Sequence, residues 1–415
     1  MDNLIVQKYG GTSVANAERI MYVAKNISKT HKAGNRVAVV VSAQGHTTDQ
    51  LVEKARGISG NASRRELDML LVTGEQQAAA LMAIALETLG HKAVSLNAIQ
   101  VGIEATRQHG NAQIKNIQTK RLKDELDKGN IVIVAGFQGV NRFGDMTTLG
   151  RGASDTTAVA IAAVLNAGLC EIYTDVDGIY TADPRIVPTA KKLDAISYDD
   201  MLELAASGAG VLHNRAVEMA KRYNVNLVLR SSMNNTPGTL IKEDIGVEKL
   251  LVSGLAIDRN VARVSVTGLP DKPGVATGIF SPLAKEKLVV DVILLSVGAG
   301  DTRDYCFTVP KSDLKATCEV LEANKEKIGY STLHTDENLA KLTIVGVGMA
   351  NNAGVAASMF EALYECGVNI EIISTSEIKI TVLIDERHIT KAANAVHDKF
   401  LNVLSDDYTE ILNPD

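Results

Sequence analysis

Lys8 ends a short apolar run, LIVQKY, and is followed by Gly10, Gly11, Thr12 and Ser13. A strand that delivers a cation into a glycine turn, with hydroxyls and free backbone N–H groups just after it, suits a phosphate group. Lys8 would then act as a point charge beside the β- and γ-phosphates of a nucleotide. No GxxxxGK[ST] pattern occurs, so this is not a Walker A loop. Taken alone, such a turn can equally be structural.

Three further clusters carry chemistry. TTLGRGASDTTA, residues 147–158, sets Arg151 in a glycine-flanked loop before a helical stretch. A guanidinium there can clamp a carboxylate through two parallel hydrogen bonds. Ser154 and Asp155 fall at the expected helix start, where Asp155 would also serve as an N-cap. TDVDGIYTADPR, residues 174–185, follows the end of an expected parallel strand, the usual place for ligands in open α/β sheets. Asp175 and Asp183 there could hold nucleotide groups directly or through Mg²⁺, and Tyr180 could contact a base. The run SAQGHTTDQL offers Ser42, Thr47, Thr48 and Asp49, and TGEQQAAAL places Glu75 near an expected helix start. Glu75 could complement the helix dipole or bind an ammonium group.

These residues need a scaffold, and the hydrophobic pattern predicts one. LIVQKY, VAVVVSA, IVIVAGF and LCEIYTD read as strands, the last three as strands buried on both faces. Between them lie helical stretches such as ELDMLLVTGEQQAAALMAIALETLG and DTTAVAIAAVLNAG. This βαβα rhythm predicts a mostly parallel sheet with helices on both faces. The texture changes near residue 245, where a charged stretch reads as a linker. After it comes an internal repeat. Gly274, Val275, Ala276, Phe280 and Leu283 recur 80 residues on as Gly354, Val355, Ala356, Phe360 and Leu363. Each copy reads as a small ferredoxin-like α/β unit. Each glycine loop opens a helix, which suits a small anionic group.

Composition narrows the function classes. The chain has 415 residues, too many for one core, and 46% are hydrophobic against 22% charged. The 43 basic and 49 acidic residues leave a formal charge of -6, with no electrostatic footprint for nucleic acid or an anionic membrane. No apolar run in the sequence approaches the ~20 residues of a membrane span, and the N-terminus reads as a first strand rather than a signal peptide. Cys170, Cys306, Cys318 and Cys366 are too widely spaced for a zinc site or a disulfide framework, as expected of thiols in a reducing cytoplasm.

KYGGTS, the stretch from Ser42, TGEQ, TTLGRG with SDTTA, and YTDVDGIYTADPR, in that order, resemble the aspartate kinase family. The tail resembles that family's paired ACT modules. The resemblance covers nearly the whole chain. It implies a three-layer amino-acid kinase fold over residues 1–245 and ferredoxin-like ACT modules at 262–335 and 340–412, with 250–258 as a candidate extra strand of the second. It implies Mg²⁺-ATP as donor, L-aspartate as acceptor, and the entry step towards lysine, threonine and methionine. Carried over, Lys8, Tyr9, Gly10, Gly11 and Ser13 match the phosphate side, and Thr174, Asp175, Tyr180, Asp183 and Arg185 the nucleotide side. Ser42, Thr47, Glu75, Arg151, Gly152 and Ser154 match positions around the acceptor, and Asp155 an acid that organises the catalytic groups.

The resemblance also implies a cytoplasmic homodimer joined through the ACT modules. It implies feedback by lysine, threonine or both at Asp271, Lys272, Pro273, Gly274, Val275, Ala276 and Asp291, and at Asn352, Gly354 and Val355 in the second copy. There are departures. Ala153 stands where many members have glycine, and Leu295-Ser296 where one has an effector-contacting Gln-Asn pair. Gly210 and Asn214 interrupt GAKVLHP, so either Arg215 replaces a second phosphate-facing lysine or the family tolerates its loss. A degenerate, non-catalytic amino-acid sensor is the competing class, and a kinase for another acceptor a third.

Overall fold

The computed structural model describes residues 4–150, 152–243, 251–298, 300, 302–347, 349, 352 and 354–401. The expectations for Arg151, and for the second module beyond residue 401, lie outside them. The chain divides into two compact units. One comprises Met1–Tyr180, Lys192–Ala206 and Gly210–Glu248; the other comprises Thr181–Lys191, Ser207–Ala209 and Lys249–Asp415.

The first unit begins β1 (Leu4–Tyr9), α1 (Ala17–Lys32), β2 (Arg36–Val41), α2 (Thr47–Ile58), α3 (Arg64–Thr88) and β3 (Ala93–Leu96). It continues with α4 (Ala98–Val101), β4 (Ile103–Ala105), β5 (Ile114–Ile117), α5 (Lys120–Asp127), β6 (Ile131–Ala135), β7 (Gln138–Val140) and β8 (Met146–Thr148). It closes with α6 (Ala153–Leu165), β9 (Leu169–Thr174), β10 (Ala195–Ser197), α7 (Tyr198–Ala206), α8 (Asn214–Tyr223), β11 (Leu227–Ser231) and β12 (Thr239–Lys242).

The main sheet has the order β10-β12-β11-β9-β1-β2-β6-β3. Its pairings are parallel except β11 with β12. Every residue of β6, and all but the first of β2, is buried, which is why these strands read as continuous apolar runs rather than alternating ones. Helices α1 and α3 cover one face, where Val23, Ile27, Met82 and Leu86 pack on Val37, Val39 and Ile133. Helix α6 packs on β1, β2 and β9, and α8 on α6. Helix α3, 25 residues long, contains an 18-residue window with a mean hydropathy of 1.4, long and apolar enough by composition to cross a bilayer, although half of that window is buried inside the fold. The sequence scan missed it because Glu75 interrupts the apolar stretch.

Two expected helix starts are corrected. Ser63 caps α3 by accepting the Glu66 N–H, so Glu75 lies mid-helix and not near a start. Helix α6 begins one turn earlier than its acidic residue suggests. Gly152, at φ 67°, occupies the cap position, and Asp155 lies within the first turn without capping. Only glycine takes that left-handed conformation at no cost.

The second unit contains β13 (Gly254–Pro270), α9 (Val275–Lys285), β14 (Ile293–Val297), β15 (Thr302–Val309), α10 (Leu314–Ala323) and α11 (Lys325–Ile328). The pattern then repeats as β16 (Thr332–Val345), α12 (Val355–Glu365), β17 (Ile372–Thr375), β18 (Lys379–Asp385) and α13 (Ile389–Leu401). Both copies share one six-stranded sheet, β14-β15-β13-β16-β18-β17. The first residues of β13, Gly254–Asp258, pair with Lys341–Val345 of β16.

The stretch Thr181–Lys191, expected within the first domain, belongs to this second unit. Ala182 and Val187 join the core of its second copy, and the Thr181 and Thr189 hydroxyls meet the ring nitrogens of buried His397 at 2.9 and 3.3 Å. The apolar residues of TADPRIVPTA drive that placement, a demand the turn-rich sequence does not reveal.

Candidate active site

The parallel strands β1, β2, β6 and β9 point their carboxyl ends the same way, and the expected residues collect there. Lys8 and Tyr9 are consecutive in β1, so they face opposite sides of the sheet. Lys8 turns towards α6, and its ammonium meets Asp155 Oδ1 at 2.6 Å, both side chains 11% exposed. Tyr9 is fully buried on the other side, stacked on Tyr173 with ring centroids 4.5 Å apart. Burial and the neighbouring Tyr173 and Glu171 hold its hydroxyl well above the ordinary tyrosine range. Only the Tyr9 backbone is available to the site, through its carbonyl, which accepts from Ser42 N–H at 3.1 Å.

The glycine turn is closed by Ser13 N–H donating to Gly10 O at 3.0 Å and by Gly10 N–H donating to Tyr173 O at 3.3 Å. The Ser13 hydroxyl donates to Ser232 at 2.8 Å, so that side chain is already engaged. A residue of the turn after β1 and a serine just after β11 are thereby tied together, which no local pattern in the sequence signals.

Glu75 reaches the site from the middle of α3. Gly74 permits this: a methyl at that position would lie 2.9 Å from Ala43 Cβ and 3.4 Å from the Thr47 methyl. The helix can therefore approach the end of β2, and Ala43 N–H donates to Glu75 Oε1 at 3.2 Å. The second oxygen, Oε2, is buried with no hydrogen-bond partner among the described residues. Burial pushes the Glu75 carboxyl up to about 7, partly offset by backbone N–H groups. A buried carboxylate oxygen without a donor is costly unless a ligand supplies one. An ammonium group would do so.

Ser154 lies against Gly136 at the end of β6, where an added methyl would come within 2.7 Å of its hydroxyl. The ring of His213 occupies the space over Gly152; a methyl there would sit 2.3 Å from Cδ2. His213 precedes α8 and Gly152 precedes α6, so the N-termini of two helices meet, with their dipoles positive at that end. Thr174 ends β9 and Asp175 follows it, with the Thr174 hydroxyl donating to Asp175 at 3.0 Å. The Tyr180 hydroxyl donates to Asp177 at 3.0 Å. Asp183 and Arg185, in the second unit, pair with each other, Arg185 donating to both carboxylate oxygens. Neither is brought to the strand ends by contacts within the first unit.

Two expectations change. Arg215 does not stand in for the missing lysine, because its guanidinium donates to the carbonyls of Leu149 at 2.6 Å and Ala112 at 3.3 Å. Nothing lies within 4 Å of a methyl built at Gly210. In the second unit, Gly274 and Gly354 do precede α9 and α12, at φ 96° and 123°. The carboxylates expected to face an effector already have partners: Asp271 pairs with Arg303 at 2.6 Å, Asp291 with Lys341, and Glu371 with Arg263 at 3.0 Å.

The sequence reading also missed Asp68 and His213. Asp68 is 1% exposed; its only signal is an acid inside the apolar helical stretch ELDMLL. His213 carries no local signal at all.

Comparison with known proteins fits this geometry. Residues 3–231 match the model of the amino acid kinase family, and residues 342–400 that of the ACT domain. The chain is 50% identical over 404 residues to an aspartokinase of Mycolicibacterium smegmatis, covering 96% of each chain. It is 48% identical over 398 residues to aspartokinase 2 of Bacillus subtilis, covering 96% of this chain and 97% of that one. A structure of E. coli aspartokinase III in complex with aspartate and ADP superposes with a TM-score of 0.80 at 24% identity, covering 95% and 99% of the two chains. A parallel sheet ending in the Lys8–Asp155 pair, joined to a duplicated ACT unit and matched at this identity over almost its full length, places the chain in the aspartokinase family.

Proposed function

We propose that the protein transfers the γ-phosphate of ATP to the side-chain carboxylate of L-aspartate, giving 4-phospho-L-aspartate and ADP. This would be the first step towards lysine, threonine and methionine, carried out in the cytoplasm by a homodimer joined through the ACT modules. The observation that carries the reading is that the Lys8–Asp155 pair lies at the end of β1, while the partnerless buried carboxylate of Glu75 is held by Ala43 N–H just past the end of the neighbouring strand β2.

The chemistry needs no general base. Near pH 7 the acceptor carboxylate is already ionised, its reference pKa being about 3.9. The task is to bring two anions together, so positioning and charge neutralisation dominate. Lys8 would accompany the transferred phosphoryl group, with Asp155 holding its ammonium in place. The first turn of α6, with Ser154, would add backbone N–H donors, and Arg151 would clamp a carboxylate of the acceptor. Glu75 would take the acceptor's ammonium group. Thr174, Asp175 and Tyr180 would hold the nucleotide.

Among the described residues no group of three or more His, Cys, Asp or Glu side chains is placed to hold a metal ion. Asp175 would face Mg²⁺ carried in by the triphosphate, whose phosphates, with water, usually supply most of the ligands. When bound, it neutralises phosphate charge. ADP release measured with aspartate, glutamate and acetylglutamate tests the reading; turnover with aspartate alone is expected, and none with any acceptor would sink it.

Feedback is proposed at the glycine loops of the second unit. The carboxylate of lysine or threonine would sit at the start of α9 or α12, where first-turn backbone N–H groups have no partner within the helix. Its ammonium group would compete with Arg303 or Lys341 for Asp271 or Asp291. Asp271→Ala and Asp291→Ala are each expected to raise the inhibitory concentration on the order of tenfold, the loss of one charged hydrogen bond. The uninhibited rate should stay within a few-fold. A wild-type rate that no pathway amino acid alters at millimolar concentration would limit these modules to assembly.

A further inference from the structure

Two side chains from different helices each tie the loop between β4 and β5, residues 106–113, to the chain at the end of β8. That chain runs from Thr148, the last residue of β8, through Leu149 and Gly150 towards α6. Asp68, early in α3, accepts from the Thr148 hydroxyl at 2.6 Å on one oxygen. On the other it accepts from His109 Nδ1 at 2.8 Å and Gly110 N–H at 3.0 Å. Arg215, in the first turn of α8, donates to Leu149 O and Ala112 O. A backbone hydrogen bond from Ala112 to Thr148, 2.9 Å long, joins the loops between these clamps.

From this geometry we propose that Asp68 and Arg215 are positioning residues for the acceptor side of the active site. They touch no reacting group. They act on the loop that runs directly into α6, whose first turn carries Ser154 and Asp155. Loops are ordinarily the most adaptable part of a fold, yet here a buried carboxylate and a half-buried guanidinium are spent on loop groups. Arg215 has no carboxylate partner among the described residues, so its role is not that of a surface ion pair. Displacing α6 by a fraction of an ångström would move Asp155 relative to Lys8, and such misplacement is costly where two anions must be aligned. The sequence could not assign this: Arg215 reads there as one of two ways to account for the missing lysine, and Asp68 is an acid inside an apolar helical stretch.

The inference rests on the acceptor-pocket reading above, and the test separates the two. Steady-state kinetics of the full-length protein would be measured for Asp68→Asn, Arg215→Met, Arg215→Lys and Thr148→Val, varying aspartate and ATP in turn. Asparagine keeps an acceptor for Thr148 but cannot receive both N–H groups on its other side. Thr148→Val removes only the hydroxyl and guards against an Asp68 variant that fails to fold. The KM for aspartate is expected to rise on the order of fivefold, with that for ATP within about twofold. Arg215→Lys should recover part of the loss, because one donor remains. Equal changes in both KM values, or unchanged KM values with a lowered Tm, would show the clamps to be structural only and overturn the proposal. Glu75→Gln in the same assay reports on the pocket itself. If it leaves the KM for aspartate unchanged, the pocket reading fails. If it raises that KM while the clamp variants do not, the clamp proposal alone fails.

Discussion

Lys8→Ala is expected to lower kcat by at least ~100-fold, the loss typical of removing one group that stabilises charge in the transition state. The KM values should change far less. The variant should also lose stability, because Lys8 and Asp155 form a closely spaced pair with little exposure to water. Removing one member leaves the other charge buried and unpaired, at a cost of roughly 3–5 kcal/mol. Lower activity could therefore reflect poor folding, and the double variant Lys8→Ala with Asp155→Asn resolves this. Neutralising Asp155 removes the buried charge, so most of the Tm should return while kcat stays low. A double variant that regained both Tm and kcat would reduce Lys8 to a structural role. So would a single variant with near-normal kcat.

The second large effect concerns Glu75 and has a definite pH signature. In the free protein its carboxyl titrates at about 7 because it is buried. Only the ionised form can pair with the ammonium of aspartate. Protonation below pH 7 therefore competes with binding, and the KM for aspartate should rise ~10-fold between pH 8 and pH 6. The KM for ATP should not follow it. Glu75→Gln should raise the KM for aspartate on the order of 10- to 100-fold, as expected for one charged hydrogen bond, and abolish the pH dependence.

The stability change has the opposite sense. The raised pKa means that the folded state binds more protons than the unfolded one between the ordinary carboxylate range and about pH 7. Stability contributed by the protonated form is thus lost as pH rises through that window. At pH 8, Glu75→Gln should accordingly raise Tm. A KM that does not vary with pH in the wild type would remove Glu75 from the acceptor site. The pattern of higher stability with poorer binding is characteristic of a group kept for function at the expense of folding.

Much of this protein was legible in the chain itself. The apolar runs of β2 and β6 announced strands buried on both faces, and the recurrence of Gly274 as Gly354 announced a duplicated unit. Lys8, Asp155, Thr174 and Asp175 stand out as candidates in local motifs because phosphate chemistry uses short segments at strand ends and helix starts. Glu75 was picked out, but its position was misread: the sequence offered a helix start, and a cap at Ser63 moved that start more than two turns upstream.

What the tertiary structure alone decided concerns distance across the chain. That Lys8 would meet Asp155, that the Ser13 hydroxyl would be taken by Ser232, and that Gly74 would let Glu75 reach Ala43 all depend on which strands lie side by side. The stretch 181–191 joined the second unit because its apolar side chains found a core there. Arg215 became a clamp because the packing of α8 on α6 put two loop carbonyls within its reach. Sequence patterns record the periodicity of a helix or strand and the chemistry of a turn. Long-range pairings such as these cost chain entropy that local propensity does not repay; they form when the sheet and its helices bury their apolar faces together, and only then do the polar groups find their partners.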